Sequence, residues 1–390
     1  MMSKSFHRDR FFWIVATQTA IVNFYLGGFG PAQSLLRADQ GTSLTIAGLH
    51  GTAMGVASIF AGYANPYIAH RLGRTRAGWT GLAIFTLGLT LFVISPPVFL
   101  TLPATLITGF GTSMVINAML TSMSHYFGNE AQVAIPQANG IASIGFVTGT
   151  ALIGTIAIIS PGLWRIGLLF AIPVAITLFL VSRDTTAEEY VRDAAGPQEG
   201  GLSRRFWISW VGFTACISSE FAVSFWAAAL LKDRVGSTAA ISTVAIVALG
   251  TGMGIGRWYG AVLLRRFVLD TQLLGTIALQ FLGFVCFWLS HSMILSLISL
   301  FVIGLGVSMQ FALASIRLIA FSDGRPDLAI GRTSLAAGIA IAIAPFLLGV
   351  LGDNFGISRA YLMVPVLIII AFTIVKLVPA QQAMNVTHEL

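Results

Sequence analysis

The sequence predicts an all-α membrane protein with twelve transmembrane helices arranged as two similar six-helix bundles. Three observations carry this reading. Of the 390 residues, 56% are hydrophobic and only 9% charged, against roughly 25% charged in an ordinary soluble domain. About a dozen apolar blocks, each roughly 18 to 27 residues long, can cross a hydrocarbon core at a rise of about 1.5 Å per residue. Short motifs also recur at one offset, half the chain apart.

The spans fall near 11–36, 44–69, 77–95, 98–122, 134–159, 161–182, 205–231, 238–264, 271–290, 293–320, 329–352 and 357–378. The first block follows Lys4, Arg8 and Arg10, which imitates a secretory signal. It is longer than a signal core and lacks a clean small-residue cleavage site, so it is read as an uncleaved first span. An even number of spans puts both termini on one side, the cytoplasmic one. Basic residues test this independently, because Lys and Arg are retained inside. Of the 22 Lys and Arg residues, only Arg37, Arg165, Lys232, Arg234 and Arg359 fall on the opposite side. Cytoplasmic loops facing anionic lipid account for the net charge of +7 without any nucleic-acid partner.

The longest polar stretch, around 183–204, reads as a cytoplasmic linker between an N-terminal bundle (1–182) and a C-terminal bundle with a short tail (205–390). Across it "LLRAD" from Leu35 matches "LLKDR" from Leu230, and "GFGTSM" from Gly109 matches "GLGVSM" from Gly304. The basic turn "HRLGR" from His70 lies opposite "RRFVL" from Arg265. Three matches at one offset of 195 residues point to an internal duplication. Parallel repeats of this kind build secondary transporters, in which a solute site near the midplane is exposed alternately to each side.

These residues resemble the major facilitator superfamily over nearly the whole chain. The loop after the second span, "PYIAHRLGRTR", keeps Arg71, Gly73, Arg74 and Arg76 of the family pattern. It has Pro66 where the family has glycine, and His70 where it has the aspartate that centres its cytoplasmic latch. The second copy, "GIGRWYGAVLLRRF", keeps Gly256, Arg257, Gly260, Arg265 and Arg266. "GLWRIGLLF" and "APFLLGVLGDNFGISRAY" are also family-like, whereas the "GP" pair of drug antiporters is absent at Gly149 and Thr150. The resemblance implies a central path lined by the first, fourth, seventh and tenth helices. Gating or packing roles at the cytoplasmic end then go to Arg71, Arg74, Arg257 and Arg265.

Of the fifteen acidic residues, Glu220 alone falls in the interior of a span, within "TACISSEFAVSFWAAALLKDR". A carboxylate there costs at least about 2.5 kcal/mol, so an acid in mid-membrane is a functional candidate by default. Low dielectric disfavours its ionised form, and a group so poised can take a proton from one side and release it to the other. Glu220 is therefore the proton-coupling candidate. Its plainer alternative is a structural carboxyl bonded across two helices.

On the implied path-lining helices the solute-binding candidates are Gln18, Tyr25, Asn117, Ser219, Ser224, Trp226 and Gln310, with Asn23, Thr112, Ser113 and Ser308 nearby. Their plainer role is interhelical bonding, worth roughly 0.6 kcal/mol each. Arg317 and Arg332 sit near the interface and are expected to snorkel. His50 and His70, near span ends, are expected to be solvated. Cys216 and Cys286 lack metal-ligand spacing and read as packing residues. The glycine runs lack the strand and helix alternation of a nucleotide fold, and no Walker lysine motif exists.

The expectation is a non-enzymatic, monomeric secondary transporter in a prokaryotic inner membrane, without cofactor or metal. It moves a small organic solute, and "SSEFAVSFWAAALL" is similar to bacterial fucose and hexose permeases, which makes proton symport of a sugar-like compound the first reading. Sodium remains open as the coupling ion. Proton-driven export of hydrophobic compounds is the alternative within transport. A lipid-handling or sensing protein without ion coupling is the alternative outside it.

Overall fold

The computed structural model describes residues 7–94, 97–127, 131–182, 201–264, 267–323 and 325–380. Twelve helical segments in it are long and apolar enough to span a bilayer. In the N-terminal half they are α1 (Arg10–Phe29), α2 (Leu44–Ala64), α3 (Arg74–Ile94), α4 (Val98–Met123), α5 (Ala134–Ile159) and α6 (Pro161–Ser182). In the C-terminal half they are α7 (Arg204–Val235), α8 (Ala239–Gly260), α9 (Leu269–Leu289), α10 (Met293–Ala320), α11 (Leu335–Phe355) and α12 (Ile357–Leu377). Their lengths suit a hydrocarbon core about 30 Å thick, where every backbone group must be satisfied within the segment.

Several spans differ in detail from the sequence expectation. The first stops at Phe29, and a separate short helix, Gln33–Gln40, follows the turn at Gly30. The eighth is interrupted at Ile246, and the tenth at Ser308 and Met309. The seventh is longer than expected and unbroken: Ser203 Oγ accepts the Phe206 amide at its start, and Gly236 ends it. Gly236 adopts φ +72, and Gly41, which ends the short helix after α1, adopts φ +62. Only glycine takes that conformation without strain, and the two stand 195 residues apart.

The packing repeats at the same offset. Helix α1 packs on α5 and α7 on α11; α3 packs on α4 and α9 on α10; α2 packs on α4 and α8 on α10. The halves meet along two matching seams, α2 with α11 and α5 with α8. After α1, Asp39 receives Trp164 Nε1 at 2.6 Å and Arg165 Nε at 3.2 Å from the start of α6. In the last turn of α7, Asp233 receives Ser358 Oγ at 2.6 Å from the start of α12.

Glycines set how closely the seams approach. A methyl group added at Gly55 would lie 2.3 Å from the Ala342 amide nitrogen, and one at Gly250 would lie 2.9 Å from a Val147 methyl. Gly55 and Gly250, and likewise Val147 and Ala342, are duplication partners. Gly55→Ala should therefore push α2 off α11 and cost on the order of 1–3 kcal/mol, the usual range for overpacking. Gly275→Ala in α9, with nothing within 4 Å of an added methyl, should cost nothing measurable. Thermal unfolding of the two variants in detergent checks the contrast.

Two expectations about polar groups are corrected. His50 is not solvated: it is fully buried, with Nε2 2.9 Å from Thr101 Oγ1, and Gln40 Nε2 reaches the same hydroxyl at 3.0 Å. The short helix after α1 folds back over that end of α2 and closes it. Arg317 does not snorkel. It is 2% exposed and pairs with Asp270 at 2.9 Å, because α9 and α12 enclose that end of α10.

Candidate functional site

Helix α7 is the most enclosed span, with 78% of its apolar window buried against 33–61% for the others. Its central position brings Glu220 to the junction of the halves. The carboxylate retains 12% side-chain exposure, and Arg257 of α8 places Nη2 3.4 Å from its Oε1. The same guanidinium donates through Nη1 to Ser143 Oγ at 3.0 Å, on α5 of the other half. Ser143 in turn donates to Asn139 O at 3.1 Å. One arginine thus bridges an acid in its own half and a hydroxyl in the opposite half.

Such pairing is what burial requires, since an isolated charge in low dielectric is far costlier than a paired one. Yet 3.4 Å is long against the 2.7–2.9 Å usual for charge-assisted bonds. Arginine carries five N–H donors in a fixed fork, so the cluster can hold a further acceptor. It can also release the carboxylate without losing its grip on Ser143.

The remaining expected site residues are distributed unevenly. Gln18 is buried in the N-terminal half and lines a cavity of about 30 Å³ together with Phe11, Arg74, Trp79 and Ser122. Its Nε2 has no hydrogen-bond partner among the described residues, and that volume admits a water molecule. Asn117 is half-buried on α4, and Ser224 is buried at 9% exposure on α7.

Four of the expected solute contacts are sealed in packing in this conformation. Tyr25 is fully buried, stacked on Phe29 at 5.1 Å and edge-on to Phe85. Trp226 is fully buried and donates Nε1 to Pro345 O at 2.9 Å, tying α7 to α11. Ser219 and Gln310 belong to one chain of bonds inside the C-terminal half. Gln310 Nε2 donates to Gln280 Oε1 at 2.9 Å, and Gln280 Nε2 donates to Ser219 Oγ at 3.0 Å. Ser219 faces α9, whereas its neighbour Glu220 faces α8, because adjacent helical residues lie about 100° apart.

Of the expected gating arginines, Arg257 joins the Glu220 cluster and Arg74 lines the Gln18 cavity. Arg71 is exposed at the face that carries the termini. Arg265 lies outside the described residues. Sequence reasoning missed the Glu220–Arg257 pair, Ser143 and Gln280. The signal for the pair was present: two opposite charges too deep in their spans to be loop residues must find each other.

The sequence profile of the Major Facilitator Superfamily matches residues 14–325. The chain belongs to that superfamily. Its structure is similar to that of the nucleoside transporter NupG, with a TM-score of 0.76 at 12% identity over 94% of this chain and 100% of the other. It is also similar to a bacterial homologue of the human lysosomal transporter Spinster. In its inward-facing and occupied conformation that homologue gives a TM-score of 0.72 at 13% identity, covering 96% of this chain and 97% of the other. In the inward-facing and unoccupied conformation it gives 0.73 at 12% identity with the same coverage. No curated protein sequence matches. The protein is a multi-pass secondary transporter of this superfamily.

Proposed function

We propose that the protein couples the movement of a small organic solute, sugar-like in the first instance, to protons across a prokaryotic inner membrane, with both termini cytoplasmic. The observation that supports this reading is the position of Arg257, whose guanidinium lies between Glu220 in one half and Ser143 in the other. Protonation of Glu220 removes the attraction that holds the guanidinium on the C-terminal side. The half-to-half contact then depends on the proton.

The magnitude is of the order that such a switch needs. Unit charges at about 3.4 Å attract by about 5 kcal/mol at an effective dielectric of about 20, before desolvation is counted. Turning a 1:99 equilibrium into 99:1 takes about 5.5 kcal/mol. A solute hydroxyl that occupies the free carboxylate oxygen would change proton affinity at the same point, which is what coupling requires. Half-buried Asn117 and the hydroxyl of Ser224 are the candidate contacts for the rest of the solute, with Gln18, Tyr25, Ser219, Trp226 and Gln310 reachable only after rearrangement.

The test is solute-induced proton uptake in liposomes with a trapped pH dye, across a panel that includes sugars and nucleosides. The expected result is alkalinisation or acidification that follows one solute class and disappears with an uncoupler. A protein that binds members of the panel yet moves no protons with any of them, and responds instead to sodium, would refute the proton assignment. Counterflow and gradient-driven accumulation then distinguish import from export.

A further inference from the structure

At the face away from the termini, the first turn of α2 is completed by the other half of the molecule. A helix begins with four amide groups that have no partner within it. Here Ser43 precedes the first turn: its Oγ accepts the Ile46 amide at 3.2 Å, and its carbonyl accepts the Ala47 amide at 3.1 Å as the first bond of the helix itself. The amides of Leu44 and Thr45 are taken by Asp353, in the last turn of α11. Its Oδ1 accepts Leu44 N at 2.9 Å, and its Oδ2 accepts Thr45 N at 2.7 Å and Thr45 Oγ1 at 2.6 Å.

This is a carboxylate at a helix N-terminus, where negative charge is stabilised, but donors and acceptor belong to different halves. Below it the seam is tight, with Gly349 against Leu44, Gly48 against Pro345, and Thr52 Oγ1 donating to Ala342 O at 2.8 Å. Beside it, the Phe225 ring of α7 packs on Gly30 and Gly51, and Thr243 Oγ1 of α8 reaches Pro31 O at 3.4 Å. The duplicate seam has no such carboxylate: the position 195 residues before Asp353 is Ile158, a half-exposed apolar residue. Asp353 is therefore not a by-product of the repeat.

We propose that Asp353 is the latch that holds this face of the transporter shut, by capping α2 from the opposite half, and that alternating access requires these three bonds to break. When the halves part, the amides of Leu44 and Thr45 and the exposed carboxylate all pass to water. The latch is therefore reversible, and its strength is set by charge-assisted acceptance. The inference rests on the transport reading in that the halves move relative to each other and the termini lie inside the cell. Its test uses neither solute nor protons, so either can fail without the other.

A single cysteine replaces Phe225, which is 3% exposed beneath the latch, in a chain whose Cys216 and Cys286 are serine. Intact cells are treated with a membrane-impermeant maleimide. Asp353→Ala should raise the labelling rate at least about tenfold, the factor that corresponds to about 1.4 kcal/mol. Asp353→Asn, which keeps one acceptor oxygen, should fall between. Spin labels at exposed Ala38 and Lys232 should move apart in Asp353→Ala, while a pair at Arg76 and Arg204, on the face of the termini, should not. Unchanged labelling would overturn the latch. So would equal broadening of both spin-label pairs, which would mean loosened folding. If Asp353→Ala does not accumulate, Thr45→Val removes the hydroxyl bond alone and must still raise labelling for the proposal to stand.

Discussion

Glu220→Gln should abolish accumulation of solute against its gradient while leaving solute exchange partly intact. Glutamine matches the volume of the side chain, so packing around it is preserved. It cannot carry a proton between the two sides of the membrane, and it no longer holds Arg257, whose Nη2 lies 3.4 Å from the native carboxylate. Exchange needs only a site that opens alternately, whereas accumulation needs the proton gradient to be felt there. The measurement is paired: uptake into energised vesicles, and counterflow without a gradient. If the variant concentrates solute as the native protein does, Glu220 is not the coupling group.

The same variant leaves an arginine buried without its counterion, and removing one partner of a buried pair typically costs about 3–5 kcal/mol. Replacing both residues by neutral ones should recover part of that loss. A double-mutant cycle over Glu220 and Arg257, read by thermal unfolding, separates the stability of the pair from its role in coupling. Ser143→Ala should leave stability near native, since it deletes one bond of Arg257 to the opposite half and no charge.

Much of the architecture was legible because its causes are local or periodic. Span count follows from apolar length, and the duplication from matched strings such as those at Leu35 and Leu230. The break at Gly30 has a local signal in the Gly30–Pro31 pair, whereas those at Ile246 and Ser308 have none, because apolar composition continues through them and only tertiary contact decides where the helix stops. Glu220 was visible from its chemistry, being an acid with no local excuse for its depth. Its partner was harder. Arg257 lies 37 residues away on another helix, and Ser143 looks like any other small residue of a membrane helix.

The misreadings share one cause. Position along a span does not fix exposure: His50 and Arg317 lie near span ends that other elements cover. The short helix Gln33–Gln40 closes the end of α2 over His50. The ends of α9 and α12 close over Arg317. Ser219 shows the complementary limit. Hydrogen bonding to Gln280 turns its face of the helix toward α9, and nothing in the spacing of α7 alone says which face meets which neighbour.

Arg317→Leu should be the most damaging single change to stability in the C-terminal half. The guanidinium pairs with Asp270 at 2.9 Å, donates to Ser209 Oγ at 3.0 Å and to Val375 O at 3.3 Å, and also bonds Val378 O. It therefore ties together the ends of α7, α9, α10 and α12, with 2% exposure. Leucine fills part of the space but, among the described residues, leaves Asp270 with only the Ala380 amide, together with carbonyls and a hydroxyl that lose their donor. The expected cost is about 3–5 kcal/mol, the range for a broken buried pair. Arg317→Lys should rescue little, because a single ammonium cannot reproduce a planar fork directed at several acceptors. Asp270→Asn should be milder, since the arginine keeps its serine and carbonyl partners. Unfolding in detergent ranks the three, and a lysine variant as stable as the native protein would show that charge alone, rather than the fork, holds these four helix ends together.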